Sequence, residues 1–265
     1  MEVSLDINGK ISNFTFKVDC IESEETLNKL IDAYLEIFSK IDQHLKHYSL
    51  TPSFKSIYLC FTILTPTEEI SEERFFHYLT AYPSLLKKSK VFIENVINWM
   101  EINNIRLWQD AENPFAEAAA YSLALFDQEN IDLYIRRLIL CDMNHEVYQV
   151  EHISSLVEKY GFTENVIRLL AYRLGEVGGQ FGWEQLDGYK TDLLAFFDEN
   201  IELRNLFFEV AFNSIIKLHK GRPFYFEYIR ILGEFIADQE IRKQWLVTQE
   251  KLIKDTFGEN AVDMS

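Results

Sequence analysis

The sequence predicts a mainly α-helical protein, an α-solenoid of stacked helical hairpins with about ten helices, preceded by a short N-terminal β-hairpin. Apolar residues recur at the spacing of an amphipathic helix through most of the chain. A capping residue precedes proline at Thr51-Pro52 and at Asn113-Pro114, as is typical of helix starts. No stretch rich in Pro, Gly or Ser separates the helical segments, so we expect residues 1–265 to form a single domain.

The segment 1–20 has a different pattern and predicts the β-hairpin. Apolar and polar side chains alternate on both sides of Asn8-Gly9, with apolar residues at Val3, Leu5, Ile7, Phe14, Phe16 and Val18. Asn-Gly favours the two-residue turn whose backbone matches the twist of paired strands. Because an isolated hairpin is only marginally stable in water, we expect the face with Phe14 and Phe16 to pack on the next helix.

Helices are predicted for the remainder of the chain. Residues 21–50 carry a first helix that Ser23 caps, residues 51–256 carry the helical repeats, and residues 257–265 form a flexible tail. The segment 55–64 is rich in β-branched and aromatic residues, so its pattern is open between helix and strand. The later helices are expected near 164–175, 191–199, 202–219 and 239–256.

Two segments of the chain are similar to each other. LALFDQENIDL at 123–133 and LAFFDENIEL at 194–203 share a helix ending in Phe-Asp, a short turn and an Asn-Ile-acid-Leu helix start. We expect Asn130 and Asn200 to be N-caps. The interval from Phe126 to Phe197 has the length of two helical hairpins of about 35 residues each. In this architecture the chain resembles the HEAT-like class of helical-repeat proteins, which implies a curved surface used for binding.

Composition indicates a sizeable core and no disulfide framework. Hydrophobic residues make up 48% of the chain and aromatic residues 14%. The three cysteines are far apart and form no CxxC pair, which suits a reducing compartment. The first residues lack the pattern of a signal peptide, and no apolar run is long enough to span a bilayer. We therefore expect a cytoplasmic protein without a membrane partner.

Acidic residues dominate the charge, most of all in the middle of the chain. There are 42 Asp and Glu against 26 Lys and Arg, a net charge of −16. Residues 101–200 contain 18 acidic and 7 basic residues, whereas residues 201–265 contain 10 and 9. Such a field repels phosphate backbones and attracts basic proteins. The sequence thus indicates a basic protein partner and no nucleic acid, the alternative being that the acidity only maintains solubility.

The glycine-rich stretch GEVGGQFGWEQLDGYK at 175–190 is a candidate ligand loop. Its glycine spacing matches neither a dinucleotide-binding fingerprint nor a Walker loop, and a helical pattern rather than a strand precedes it. Its acidic residues would also oppose a phosphate. We expect instead a long flexible loop between repeats that displays Phe181 and Trp183, either as an interface anchor or packed inward.

HEVYQ at 145–149 differs from a zinc-protease motif by one residue. Two histidines four residues apart are needed to bind one metal from one helix face, and Gln149 takes the place of the second. His152 is two turns away, too far to share an ion with His145 directly. A looser metal-dependent site is left as an alternative to a solvated helix face, and it would use Asp142, His145, Glu146, Glu151 and His152.

Fold and charge together predict a non-catalytic binding protein without a cofactor, since no nucleophile signature of the GxSxG kind is present. A compact acidic protein of this kind is similar to bacterial immunity proteins that neutralise basic nuclease toxins. That resemblance implies that acidic residues within 101–200 replace the phosphates a toxin would otherwise meet. The alternatives are an adaptor that binds a peptide in the solenoid groove and the metal-dependent enzyme. The predicted partner-binding residues are Asp142, Glu146, Glu151, Phe181, Trp183, Glu184 and Asp187.

Overall fold

The structure of the protein, a computed structural model, is mainly α-helical as predicted. The described residues form eleven α-helices and a small mixed β-sheet. Contacts divide the chain into two compact units, Met1–His145 and Glu146–Ser265. The single domain predicted for residues 1–265 stays a prediction. The structure describes residues 2–8, 11–33, 36, 55–70, 72–102, 105–107, 115–139, 146–176, 180–219 and 225–258.

The predicted hairpin is present and belongs to a larger sheet. Strand β1 (Glu2–Asn8) pairs antiparallel with β2 (Ile11–Lys17), and β2 pairs parallel with β3 (Lys55–Leu64). The end of β3 pairs antiparallel with β4 (Glu69–Ile70), and its beginning pairs parallel with β5 (Ile105–Leu107). The segment 55–64 is therefore a strand, and the prediction of helical repeats from residue 51 is wrong there.

Asn8, which was predicted to lie in the hairpin turn, belongs to strand β1. Asn8 pairs with Ile11, so Asn8 is the last residue of β1 rather than a turn residue. Gly9 and Lys10, which separate the two strands in sequence, lie outside the described residues.

A row of buried residues crosses the sheet. Phe16 of β2 is paired with Ile63 of β3, Ile63 is paired with Ile70 of β4, and all three are buried. Because paired residues project from the same face of a sheet, this row marks the face that contributes to the core of the unit. The side chain of Phe14, which was expected on that face, lies outside the described residues.

Five helices of Met1–His145 lie within the described ranges. Ser23 precedes α1 as predicted, and its Oγ accepts a hydrogen bond from the Thr26 amide at 3.0 Å. Residues 37–50 of the predicted first helix lie outside the described residues. The helices are α1 (24–33), α2 (Glu72–Leu79), α3 (Pro83–Ile102), α4 (Phe115–Phe126) and α5 (Ile131–Ile139), with a 3-10 turn (Gln128–Asn130) before α5.

Glu146–Ser265 contains six helices within the described ranges, and four of them contact α7. The six helices are α6 (Glu146–Tyr160), α7 (Glu164–Glu176), α8 (Gln180–Glu199), α9 (Ile201–His219), α10 (Tyr225–Gly233) and α11 (Gln239–Phe257). Helix α7 contacts α6, α8, α9 and α10, and its residues from Val166 to Leu174 are almost all buried. A helix that is apolar nearly all round lies in the core. The flexible tail was predicted for residues 257–265. Phe257 is the last residue of α11 and Gly258 follows it, whereas residues 259–265 lie outside the described ones.

The glycine-rich stretch is not the long loop that was predicted. Helix α8 begins at Gln180, whereas its predicted start was residue 191. Gly182 and Gly188 therefore lie inside a helix, where each costs about 1 kcal/mol relative to alanine. No proline interrupts 180–199, and the buried Leu193 and Phe197 fix α8 in the core, so packing outweighs the glycine penalty.

The two similar segments do not pack alike. Phe126 is 46% exposed, whereas Phe197 at the matching position is 1% exposed. Ile131 is buried, whereas Ile201 is exposed. The first segment has a 3-10 turn between its helices and the second has only Asn200, so matching residues turn to different faces.

Asn130 was predicted to cap the helix that follows it, but its side chain does not do so. Its Nδ2 donates back to the Leu123 carbonyl at 3.1 Å, while its buried Oδ1 accepts no hydrogen bond from a described residue. The carboxylate of Asp127 caps the turn instead, accepting from the Glu129 amide. Asn200 stands at the N-cap position by its backbone, but its Nδ2 likewise donates back, to the Phe196 carbonyl at 2.9 Å. Both amides thus hold the end of the preceding helix.

Candidate functional site

The predicted partner-binding residues fall on α6 and α8, apart from Asp142, which lies outside the described residues. Glu146 is the first residue of α6, and Glu151 is exposed further along that helix. The side chains of Glu146 and of residues 180–187 are outside the described ones. The first part of α8 carries the remaining four, Phe181, Trp183, Glu184 and Asp187.

The acidic and histidine residues of the alternative metal site differ in their exposure to solvent. Glu151 is exposed, whereas the neighbouring His152 is only 4% exposed. Asp142 and His145 lie outside the described residues. Among the side chains that the structure describes, no three His, Cys, Asp or Glu groups come together as a metal site would require.

Two of the seven basic residues in the acidic segment 101–200 are buried. Arg137 is 1% exposed and Arg173 is 0% exposed. Both side chains interact with other groups. Buried charges in proteins are normally paired and hydrogen-bonded. Neither guanidinium is therefore exposed at the surface of the segment.

Three more of these basic residues are paired with carboxylates. Arg136 contacts the Glu101 carboxylate at 2.8 and 3.2 Å, and this hydrogen bonding raises the pKa of Arg136. The other two pairs are Arg168 with Glu164 at 2.9 Å and Lys190 with Glu234 at 2.5 Å. Of the last two basic residues, Lys159 lies 5.2 Å from the ring centre of its neighbour Tyr160, and the Arg106 side chain is outside the described ones.

Many exposed carboxylates, in contrast, form no ion pair with a described residue. Asp198, Glu199 and Glu202 stand where α8 ends and α9 begins, all exposed, and none forms an ion pair with a described residue. We call these three residues the acidic corner. Further exposed carboxylates without an ion pair to a described residue are Asp127, Glu129, Asp132, Glu151, Glu158, Asp192 and Glu209.

A cleft of about 420 Å³ opens beside the acidic corner. Its walls are the end of α8, the first half of α9, the segment from Phe235 to Asp238, and the first turns of α11. This volume falls within the range of about 300–1,000 Å³ that is typical of ligand sites. We call it the α8–α11 cleft.

Aromatic rings form the inner wall of the α8–α11 cleft. The rings of the buried Phe197 and Phe235 both pack on that of Phe207 in tilted arrangements, with ring centres 5.2 and 5.1 Å apart respectively. Phe208 and Trp245 also line the cleft, half-buried, and meet edge to face at 5.7 Å. The apolar wall is therefore continuous with the core of the unit.

Polar groups lie at the cleft and hold its backbone segments by hydrogen bonds. The Arg242 guanidinium donates two hydrogen bonds to the Ile236 carbonyl, at 2.9 and 2.7 Å. The Asp238 carboxylate caps α11 by accepting from the amides of Glu240 and Ile241, both at 2.9 Å. Arg204 and Asp198 line the cleft with side chains that make no hydrogen bond or ion pair with a described residue.

The sequence did not indicate this cleft. Phe208 and Trp245 occur at helical spacing in apolar patterns, which is what core residues also show. The cleft combines segments that are some forty residues apart along the chain, so it exists only in the fold. The feature that could have drawn attention is Asp198-Glu199 followed by Glu202, a dense acidic run at a helix junction.

No helix within the described ranges is both long and apolar enough to cross a membrane. The candidate site therefore lies within Glu146–Ser265 and consists of the apolar α8–α11 cleft and the adjoining acidic corner. In comparisons with known proteins, no family model, no curated protein and no solved structure matches the chain.

Proposed function

We propose that this protein is a non-catalytic binding protein whose acidic surface binds a basic partner protein. One observation carries the proposal. In the acidic segment 101–200, the described basic side chains are mostly buried or paired, while many of the exposed carboxylates are not. Such a surface attracts a basic protein from a distance and gives its association a strong dependence on salt.

The more specific proposal is an immunity protein that neutralises a basic, nuclease-like toxin. A nuclease surface that binds nucleic acid is built to contact closely spaced phosphates. The acidic corner offers three exposed carboxylates within five residues, Asp198 to Glu202, with no cation of the described residues paired to them. It can thus replace phosphates at such a surface.

We also propose that the helices of Glu146–Ser265 stack as helical hairpins, in the manner of an α-solenoid. Helix α7 packs on α9, its second neighbour along the chain, as well as on α8. Helix α9 in turn packs on α10, and α10 on α11. Contacts between a helix and its second neighbour are what stacked hairpins produce. Distances between labels placed on α7 and α9 that exclude stacked layers would contradict this.

An adaptor that binds a peptide segment is the second candidate, and the α8–α11 cleft favours it. The cleft offers an apolar wall together with Asp198 and Arg204, whose side chains pair with no described residue, and this is the composition of a peptide-binding groove. The two candidates differ in the share of the binding energy that depends on salt. A peptide held mainly in the cleft would lose little affinity as salt is raised.

The decisive experiment measures the affinity for a purified partner at rising salt. The full chain is used to capture a basic protein, which is then purified separately and titrated back by calorimetry. We expect the Kd to rise steadily between low and high salt. A Kd that does not change with salt would contradict the proposed function.

A pair of matched variants locates the contact. The triple variant Asp198→Asn, Glu199→Gln and Glu202→Gln neutralises the acidic corner, and we expect it to weaken binding by about 10-fold or more. The control, Asp19→Asn, Glu22→Gln and Glu69→Gln, removes the same charge from exposed residues elsewhere and should leave the Kd within about 2-fold. Co-expression with the partner then tests immunity, because the chain should restore growth that the partner alone prevents.

A further inference from the structure

We propose that the α8–α11 cleft receives one large apolar side chain of the basic partner, flanked by a Lys or Arg that pairs with Asp198. The inference rests on the proposed function, since it names the part of a basic partner that the protein recognises. It adds an anchoring contact that the acidic surface alone does not provide.

The apolar part of the cleft calls for an apolar occupant. Phe208 and Trp245 are half-buried and present ring surface to the cleft, and the buried Phe197 and Phe235 lie deeper. Covering this surface with a large side chain removes apolar area from water on both partners. A volume of about 420 Å³ accommodates such a side chain together with part of its backbone.

Ile241 indicates that the occupant extends beyond the cleft. It lines the cleft at the start of α11, yet 58% of its surface is exposed. An aliphatic side chain at the edge of an aromatic wall gains free energy when a partner covers it. A single apolar anchor surrounded by a more exposed edge is the usual composition of an interface centre.

The walls are fixed before any ligand arrives. Arg242 holds the Ile236 carbonyl through two hydrogen bonds, and Asp238 holds the first turn of α11. These hydrogen bonds fix Ile236 and Asp238, which both line the cleft, so this wall need not reorganise to accept a side chain. Preorganisation of this kind reduces the entropy that binding costs.

The charges at the rim favour a basic segment over an acidic one. Asp198 and Asp238 line the cleft, and Arg204 is the one cation among its described lining residues. Glu199 and Glu202 continue the negative surface of the acidic corner. The Asp238 carboxylate already accepts two hydrogen bonds, whereas that of Asp198 accepts none from a described residue. Asp198 is therefore the group to pair with a cationic side chain.

Arg204 suits the backbone of the same segment. Its half-buried guanidinium makes no hydrogen bond with a described residue, although it lines the cleft. A guanidinium has five N–H donors, and a peptide carbonyl beside the apolar side chain would accept from one of them. The cleft thus has a surface for the side chain, a donor for the backbone and an acceptor for a flanking cation.

Three synthetic peptides test the proposal on the full chain. The probe is acetyl-Gly-Lys-Phe-Lys-Gly-amide, and its two relatives carry Lys-Ala-Lys and Glu-Phe-Glu in the same frame. Binding is followed by NMR titration of the Trp245 indole N–H, assigned with a Trp245→Phe variant. We expect the Lys-Phe-Lys peptide to bind about 10-fold or more tightly than either relative.

Matched variants separate the cleft from its surroundings. Ile241→Lys places a cation at the edge of the cleft, whereas Val247→Lys makes the same change at an exposed residue of α11 that does not line it. We expect Ile241→Lys to weaken the Lys-Phe-Lys peptide by about 10-fold and Val247→Lys by less than about 2-fold. Asp198→Asn should weaken it by about 3-fold, and Asp192→Asn, an exposed acid of the same helix, should not. Unfolding midpoints of all four variants verify that each still folds.

The outcomes distinguish this inference from the proposed function. If Lys-Phe-Lys and Lys-Ala-Lys peptides bind equally, and both are weakened by salt and by neutralising the acidic corner, the cleft inference fails and the acidic surface stands. If Lys-Phe-Lys and Glu-Phe-Glu peptides bind equally at the Trp245 indole, the cleft does not recognise a basic flanking residue. The inference then fails, because a flanking cation does not pair with Asp198. Absence of any change at the Trp245 indole at saturating peptide also overturns it.

Discussion

Lys88 of α3 and Asn28 of α1, 60 residues apart in the chain, are joined by a hydrogen bond of 2.9 Å from Nζ to Oδ1. The same separation of 60 recurs one turn earlier, where the Ser84 hydroxyl donates to the Glu24 carboxylate, and again where the Tyr82 hydroxyl donates to the Glu22 carbonyl. A constant separation along two helices means that they run in the same direction and in register. Helices α1 and α3 are therefore parallel neighbours.

Lys88 contributes most to this pairing, because it also forms an ion pair with Asp32. We expect Lys88→Met to lower the free energy of unfolding of Met1–His145 by about 1 kcal/mol, since a charged hydrogen bond is lost while the aliphatic stem is kept. The measurement is the urea midpoint of the full chain. Lys87→Met is the matched control, because Lys87 is exposed and pairs with no described residue. Equal effects of the two substitutions would contradict the contact.

Two glycine substitutions should change stability in opposite directions. Gly188 lies inside α8 with open space around its Cα, so Gly188→Ala should stabilise by about 0.5–1 kcal/mol. Gly161, between α6 and α7, has a φ of 66°, so Gly161→Ala should destabilise by about 1 kcal/mol. Thermal or urea unfolding of both variants gives the signs. A neutral Gly188→Ala would indicate a loop at this position rather than a helix.

Asn130→Asp tests whether this residue donates or accepts. An aspartate caps a helix at least as well as an asparagine, but it cannot donate to the Leu123 carbonyl. Because Asn130 is buried, we expect Asn130→Asp to lower the free energy of unfolding, measured with urea, by about 1–3 kcal/mol. Asn200→Asp should lower the free energy of unfolding by less, because Asn200 is only half-buried. If Asn130→Asp left the stability unchanged, the result would support the side-chain cap that the sequence predicted.

The pair of Arg74 and Glu68 makes stability depend on acid pH. Hydrogen bonding to the Arg74 guanidinium, at 2.8 Å, lowers the pKa of Glu68 below its ordinary value. A carboxylate with a lowered pKa in the folded state stabilises it above the ordinary pKa, and this contribution disappears as the pH falls through the lowered pKa. Glu68→Gln should therefore reduce the urea midpoint slightly at neutral pH and not once Glu68 is protonated.

Glu69→Gln provides the control for that pH dependence. Glu69 is the exposed neighbour of Glu68 in sequence and forms no ion pair with a described residue. Its substitution should leave the difference between neutral and acid pH unchanged. A Glu68→Gln effect that persisted at acid pH would show that Arg74 does not act through the carboxylate charge.

Helical periodicity predicted the long helices of Glu146–Ser265 well. The predicted segments 164–175, 202–219 and 239–256 correspond to α7, α9 and α11 within a residue at each end. Their apolar faces are long, and residues of the types that favour helix N-caps precede them in the sequence. The hairpin of β1 and β2 followed in the same way from alternation over seven-residue strands.

Local patterns failed where packing determines the structure. The short apolar segment that became β3 has no periodicity that separates a buried strand from a helix, and its partner β2 is distant in sequence. Gly182 and Gly188 lower the helix propensity of α8, yet Leu193 and Phe197 hold that helix in the core. The α8–α11 cleft depends on how four segments meet, which no single segment encodes.

The parallel pairing of β2 with β3 has a consequence for synthesis of the chain. Ile11 pairs with Tyr58, so one edge of β2 has no partner until the whole of α1 and the start of β3 have left the ribosome. During that interval the hairpin presents an open strand edge, the kind of surface that pairs with other chains. Translation speed across the segment between β2 and β3 therefore sets how long a nascent molecule is exposed to misassembly.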